Sequence, residues 1–331
     1  MFRVVTLSTT LASVRPLRLA SDVSVSYARV NEHVRVLVFQ PAAAASSSTL
    51  LPLFINIHGG GWCLGGPEEK MFWGYCKFLA SRGMVVVSPA YRLAPEHPFP
   101  VPLSDCYETL RWVVSRPVQL RQADFGRVVL GGDSAGGNLA LVLATLLRDG
   151  LDAGLAPDVA MRREALQVRH LALVYPSMLL PFQTRSMSEQ RDQLVLPQWV
   201  GRWFLRSYVP GPEQERQRLL QTDRRLCPLH AGLHGLPLAA VYAASHDPLL
   251  DDSRVLCKEL ARQGSPQRLR VYANVTHGFA TFFNRQAFEL YDDICADLGS
   301  LLAPGSASCA PAPQHDMSRA PRVPILLKKD L

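Results

Sequence analysis

The sequence predicts an α/β fold built on a mostly parallel central sheet with helices on both faces. Three observations predict it. Short unbroken apolar runs recur at residues 53–57, 84–87, 127–130, 171–175, 238–243 and 269–273, as strands buried on both faces require. Helical patterns lie between them near 70–82, 104–115, 136–149, 252–263 and 286–302, and repeated strand–helix units imply parallel crossovers. The chain has 331 residues, 48% of them hydrophobic, which is enough to bury a large core.

In chain order, residues 23–27 and 34–40, separated by Asn31-Glu32, read as an opening antiparallel hairpin. Residues 41–48 form an Ala/Ser-rich loop, after which the strand–helix rhythm begins. The rhythm breaks once. About sixty residues separate the run ending near Tyr175 from the one starting near Leu238, with a helical pattern over 198–208. An excursion of that length predicts a lid over the strand C-termini, spanning about 181–232, with a peripheral helical ornament as the other reading. The folded domain is expected over 23–302. Residues 1–22 carry Arg3, Arg15 and Arg18 with no acid before Asp22, so they read either as an irregular arm or as a mitochondrial presequence. Residues 303–331 turn to Ala, Pro, Ser and Arg and are expected to be a disordered tail. The last four residues, Lys328-Lys329-Asp330-Leu331, depart from an ER-retrieval signal at the second and third positions. A cytoplasmic or mitochondrial location is therefore expected, with the ER as the remaining alternative.

Composition excludes several classes of function. The net charge is +7, but the arginines are scattered rather than gathered into a patch, so no nucleic-acid partner is expected. No run approaches the roughly 20 apolar residues of a membrane-spanning helix. The seven cysteines form no CxxC pair and no His/Cys cluster, which points to free thiols, no metal and no disulfide framework.

Two glycine-rich motifs carry the chemistry. Gly131-Gly132-Asp133-Ser134-Ala135-Gly136-Gly137 follows a strand and opens a helix, and its core fits the G-x-S-x-G nucleophile turn. The residues two before and two after the serine crowd each other there and must be small. The turn exposes a hydroxyl at a helix N-terminus, where negative charge is favoured. A phosphate-binding glycine turn is the competing reading, but the lysine of a P-loop is missing. His58-Gly59-Gly60-Gly61-Trp62 follows the strand at 53–57. Its consecutive glycines let the amides of Gly60 and Gly61 converge on one point, joined by that of Ala135, as an oxyanion hole requires.

With Tyr91-Arg92-Leu93-Ala94-Pro95-Glu96-His97-Pro98-Phe99-Pro100 added, the chain resembles the hormone-sensitive lipase family of α/β-hydrolase carboxylesterases, which includes the arylacetamide deacetylases. The resemblance runs from about residue 30 to 300 and implies an α/β-hydrolase fold with a lid insertion. It gives the 91–100 segment a structural role under the active site. Chain order in such enzymes is serine, acid, histidine. Asp247, in Asp247-Pro248-Leu249 after a late strand, matches the family's acid, with Asp251 and Asp252 as rivals read as helix N-terminal residues. His277, in His277-Gly278-Phe279 after the next strand, matches the family's histidine; His246 and His58 read as structural. Trp62 and Phe279 flank the motifs and are expected to line a substrate pocket, with core packing as the other reading. Family members usually carry N-terminal helices that complete the lid. Only some twenty residues precede the first strand here, so the pocket is expected to be fairly open.

The resulting expectation is a serine carboxylesterase acting on short- to medium-chain acyl esters through an acyl-enzyme on Ser134, with no cofactor and a small-molecule ester as partner. Two other readings stay open: an amidase or deacetylase using the same triad, and a non-catalytic binding protein on a hydrolase scaffold. Nothing in the sequence bears on oligomeric state.

Overall fold

A computed structural model describes residues 22–46, 48–150, 166–178 and 184–302. The expected N-terminal address and the expected tail lie outside these residues. Among those described, eight strands form one sheet: β1 (Val23–Arg29), β2 (Arg35–Pro41), β3 (Leu51–Ile57), β4 (Val85–Ala90), β5 (Ala123–Asp133), β6 (Val168–Val174), β7 (Leu238–His246) and β8 (Gln267–Thr276). Their order across the sheet is β1-β2-β4-β3-β5-β6-β7-β8. The hairpin β1–β2 and the β2–β4 pair are antiparallel, and every later pairing is parallel.

Helices α1 (Lys70–Ser81), α2 (Val101–Val114), α3 (Ala135–Asp149), α7 (Leu250–Arg262) and α8 (Arg285–Asp297) connect or follow the strands. The pattern over 286–302 is two helices, since Leu298 is buried at the end of α8 before a short α9 (Gly299–Leu302). The stretch between β6 and β7 carries α4 (Arg185–Glu189), α5 (Gln198–Tyr208) and α6 (Glu213–Thr222). Two apolar layers sandwich the sheet. One gathers Leu103 and Leu110 of α2, the leucines of α3 and Leu256 and Leu260 of α7. The other gathers Cys76 and Leu79 of α1 with Leu290, Tyr291 and Ile294 of α8. With both faces covered, strands such as β4 (VVVSPA) are buried on alternate residues of both parities, which is why they read as runs rather than alternations.

Topology fixes where a site can lie. From β3 the chain runs outward to β4, then returns to β5 on β3's other side. Loops leaving the C-terminal ends of β3 and β5 therefore diverge, and the crevice at such a switch point is where ligands bind in open α/β sheets.

Candidate active site

Strand register brings the functional residues together. Ile57 pairs with Gly132 across β3 and β5, so the His58–Gly61 loop leaves the sheet beside Asp133-Ser134. His246 pairs with Thr276 across β7 and β8, so Asp247 and His277 emerge side by side. Val174 pairs with Asp133 across β6, and the carbonyl of Val174 accepts the Ser134 N–H at 2.9 Å.

Ser134 is the residue before α3 and holds φ 52° and ψ −118°. Positive φ in a serine is strained, and packing enforces it here. Gly136 shows how tight the turn is: a Cβ on it would run into the carbonyl oxygen of Ile57, and one on Gly132 would lie 2.5 Å from that same oxygen. His277 Nε2 lies 3.0 Å from Ser134 Oγ, while its Nδ1 lies 2.9 and 3.1 Å from the two oxygens of Asp247. A ring nitrogen facing a carboxylate carries the proton, which leaves the Nε2 lone pair to accept from the serine hydroxyl. Asp247 is fully buried and also accepts the Leu249 N–H at 2.7 Å, so two donors compensate its buried charge.

The rival residues have other partners. Asp252 accepts the Met178 N–H at 2.7 Å, and Asp251 accepts the Ser186 N–H at 2.8 Å. Both thereby tie the start of the β6–β7 excursion to the first turn of α7. His246 is exposed and bonds its neighbour Ser245. His58 is buried under the glycine loop, its Nδ1 2.8 Å from the Gly59 carbonyl and its ring stacked on Tyr91. Burial pushes its pKa down to about 4, which keeps the ring neutral.

The His58–Gly61 loop is held from two directions. Gly59 N–H donates to Asp133 Oδ1 at 2.9 Å, and Tyr91 O–H donates to the His58 carbonyl at 2.9 Å. Tyr91 and Arg92 belong to the 91–100 segment, which is itself locked by a bidentate Arg92–Asp105 pair at 2.8 and 2.9 Å. Gly60 and Gly61 have φ 109° and 60°, and among the described residues nothing accepts their amides or that of Ala135. Unpaired N–H groups beside a serine hydroxyl are the donors that an oxyanion hole requires. Asp133 gives no signal as the variable position of the G-x-S-x-G motif; only its contact with Gly59, 74 residues away, reveals it. Burial pushes the Asp133 carboxyl up to about 6, against the opposing effects of the Gly59 hydrogen bond and the His277 charge.

The two aromatic residues expected to line the pocket lie in the core instead. Trp62 is 1% exposed and stacks face to face on Tyr208 at 4.5 Å. Phe279 is 2% exposed, between Tyr175 and Tyr272. Tyr208 covers one face of the Trp62 ring, and Phe279 makes an edge contact with Tyr175 and a tilted one with Tyr272. From the β6–β7 excursion, Phe204 of α5 meets the glycine loop, and its ring fills the space a Cβ on Gly61 would need.

A strained serine at the end of a central strand, in this strand order and with a histidine–carboxylate pair in reach, defines a serine hydrolase of the α/β-hydrolase fold. The chain belongs to the hormone-sensitive lipase family of that fold and is a carboxylic ester hydrolase. A family model described as alpha/beta hydrolase fold matches residues 54–281. Carboxylesterase NlhH of Mycobacterium tuberculosis is 35% identical over 232 residues, covering 70% of this chain and 67% of that protein. Arylacetamide deacetylase of Rattus norvegicus is 30% identical over 273 residues, covering 66% of each. The solved structure of a hyperthermophilic esterase from the archaeon Pyrobaculum calidifontis superposes with a TM-score of 0.71 at 31% identity, covering 86% of this chain and 87% of that one.

Proposed function

We propose that the enzyme hydrolyses short- to medium-chain acyl esters through a covalent acyl-enzyme on Ser134. The observation that carries this reading is the continuous relay from Ser134 Oγ through His277 to Asp247, at 3.0 and 2.9 Å, next to unpaired loop amides. Ser134 Oγ attacks the ester carbonyl carbon as His277 Nε2 takes its proton. The carbonyl electron pair moves onto oxygen, where the amides of Gly60, Gly61 and Ala135 receive the charge. The intermediate collapses, the leaving alkoxide takes the proton from His277, and the acyl group stays on Ser134. Water repeats the sequence, releasing the carboxylic acid and returning the proton to Ser134. Asp247 fixes the Nδ1–H tautomer and stabilises the imidazolium without being protonated itself.

The excursion over about 181–232 acts as the lid and supplies one wall of the acyl pocket. Phe204 against Gly61 supports that role. An open cleft with an apolar wall favours compact esters, whereas long tails gain from an enclosed tunnel. The reading of 1–22 as an irregular arm or a mitochondrial presequence, with a cytoplasmic or mitochondrial location, and of 303–331 as a tail, belongs to the same proposal.

The test is a panel of p-nitrophenyl esters from acetate to palmitate plus one aryl amide, run on wild-type and Ser134→Ala protein. A burst of p-nitrophenol equal to one per active site, lost in Ser134→Ala, with rates peaking at or below about eight carbons, is the expected result. Faster cleavage of the amide than of the matching ester would turn the assignment toward a deacetylase. Binding of esters without turnover would turn it toward a receptor.

A further inference from the structure

Ten large hydrophobic side chains are exposed among the described residues, and six of them belong to the segments that reach the site: Leu64 just after the glycine loop, Leu194, Val195, Trp199 and Trp203 in the β6–β7 excursion, and Phe282 just after His277. Val195 and Phe282 both flank Gly278, the residue after His277, and Leu64 closes the turn onto the Gly60 carbonyl at 2.9 Å. Trp203 packs on Phe204, which covers Gly61. Trp199 is 70% and Trp203 47% exposed, one helical turn apart on α5. Their spacing puts them on one stripe with Arg202 and Arg206, also exposed.

The charges of this segment are otherwise compensated. Glu189 pairs with Arg185, Asp192 with Arg191, Glu213 with Arg216, Glu215 with Arg218 and Asp223 with Arg225. Arg224 pairs with Asp149. Arg202 and Arg206 are the arginines left over: neither lies within ion-pair distance of a carboxylate among the described residues. Glu213, the acid that feels Arg206, is held by Arg216 and Gln217. A solvent-facing stripe that alternates Trp with uncompensated Arg is poor design for water. It suits a surface that offers apolar depth beneath a layer of phosphates, because indole sits at such a boundary and guanidinium binds phosphate through its donor fork.

We propose that the exposed face of α5 docks the enzyme on an anionic lipid surface. The apolar residues around His277 and Gly61 then face the bilayer, so esters partitioned in lipid reach the site without crossing water. This rests on the surface alone and on no step of the proposed reaction.

The experiment uses the full chain carrying Ser134→Ala, so that binding is read apart from activity. Protein is floated with vesicles of phosphatidylcholine alone or of phosphatidylcholine and phosphatidylglycerol at 3:1, at near-physiological salt. Binding to the anionic vesicles only is expected, reversed by high salt. Arg202→Gln with Arg206→Gln should weaken it at least about tenfold, and Trp199→Ser should reduce the lipid-induced blue shift in fluorescence. In the active background these same three substitutions should leave hydrolysis of dissolved acetate ester unchanged. Their circular dichroism should match that of the parent, showing that they fold. Absence of binding to anionic vesicles overturns the proposal. So does binding that the α5 substitutions leave intact, which would place the contact on the basic termini. A concentration-dependent dimer dissolved by Trp199→Ser would also overturn it, since the stripe would then be covered by a second copy of the chain.

Discussion

Two regions meet at Ser134 and are built in opposite ways. The turn from β5 into α3 is hemmed in by backbone, and thirteen of the fifteen residues of α3 are buried. In the excursion, only Gly201, Leu205 and Tyr208 are buried on the eleven-residue α5, and only Arg216 and Leu220 on α6. The excursion is instead pinned at points: Ser186 to Pro248 and Asp251, Tyr208 on Trp62, and Asn138 to the Leu226 carbonyl. Groups that must hold hydrogen-bond geometry are thus set in a frame that cannot shift. The excursion, proposed as the wall that selects what enters, is attached by contacts that substitution can change one at a time.

The largest effects should come from the rigid side. Ser134→Ala or His277→Ala is expected to lower kcat by roughly 10⁴–10⁶-fold, with a smaller loss for Asp247→Asn. Steady-state rates on a soluble ester check this, and near wild-type turnover of His277→Ala would break the assignment and send the search to His246.

Gly136→Ala and Gly61→Ala separate the regions directly. At Gly136 the new methyl meets the Ile57 carbonyl, a backbone atom that cannot step aside, so the protein is expected to fold poorly or not at all. At Gly61, whose φ of 60° adds a small backbone strain, it meets the Phe204 ring, a side chain rather than backbone. Gly61→Ala should therefore fold and lose activity, and Phe204→Ala in the same chain should restore part of it. Thermal unfolding alongside kcat reads both outcomes; equal damage from the two glycines would contradict the contrast.

Asp133 ties the rigid frame to the oxyanion loop at a cost. Its carboxyl titrates at about 6 in the folded protein against 3.8 ordinarily. Between those values the folded state binds a proton that the unfolded state does not, so stability falls as pH rises through this window. Asp133→Asn keeps a carbonyl acceptor for Gly59 and removes the buried charge. At pH 7 it should gain up to about 3 kcal/mol over wild type, a gain that disappears by about pH 4. It should also lose some kcat, because the charge that favours the His277 imidazolium is gone. A lower Tm at pH 7 for this variant would be evidence against it.

The smallest effect belongs to the excursion. Trp203→Ala and Phe204→Ala should shift the preferred acyl chain length by two or more carbons, while acetate hydrolysis changes less than about tenfold. Selectivity unmoved by either substitution would mean that α5 forms no part of the pocket.

What the sequence by itself determined is the set of elements and the motifs at their ends. Strands buried on both faces must be apolar at consecutive residues, so β3 to β7 were legible as runs; β8 was read the same way, but it is the edge of the sheet, where only Tyr272 and Val275 are buried and Val271 is exposed. The turn around Ser134 demands glycines at fixed offsets, so it was legible too, and the family resemblance with chain order pointed to Asp247 and His277, which the structure places in hydrogen-bond reach of each other and of Ser134. The short α4 and the polar α6 lack an apolar stripe and left no periodic trace. Only the tertiary structure decided pairings between distant segments, since a local pattern carries no record of what arrives from elsewhere. Strand order brings His277 to Ser134 across 143 residues and Gly59 to Asp133 across 74. Aromatic identity beside a motif suggested that Trp62 and Phe279 line the pocket. Tyr208 on the one ring, and Tyr175 with Tyr272 around the other, made both part of the core, and Phe204 came from the excursion to stand at the oxyanion loop.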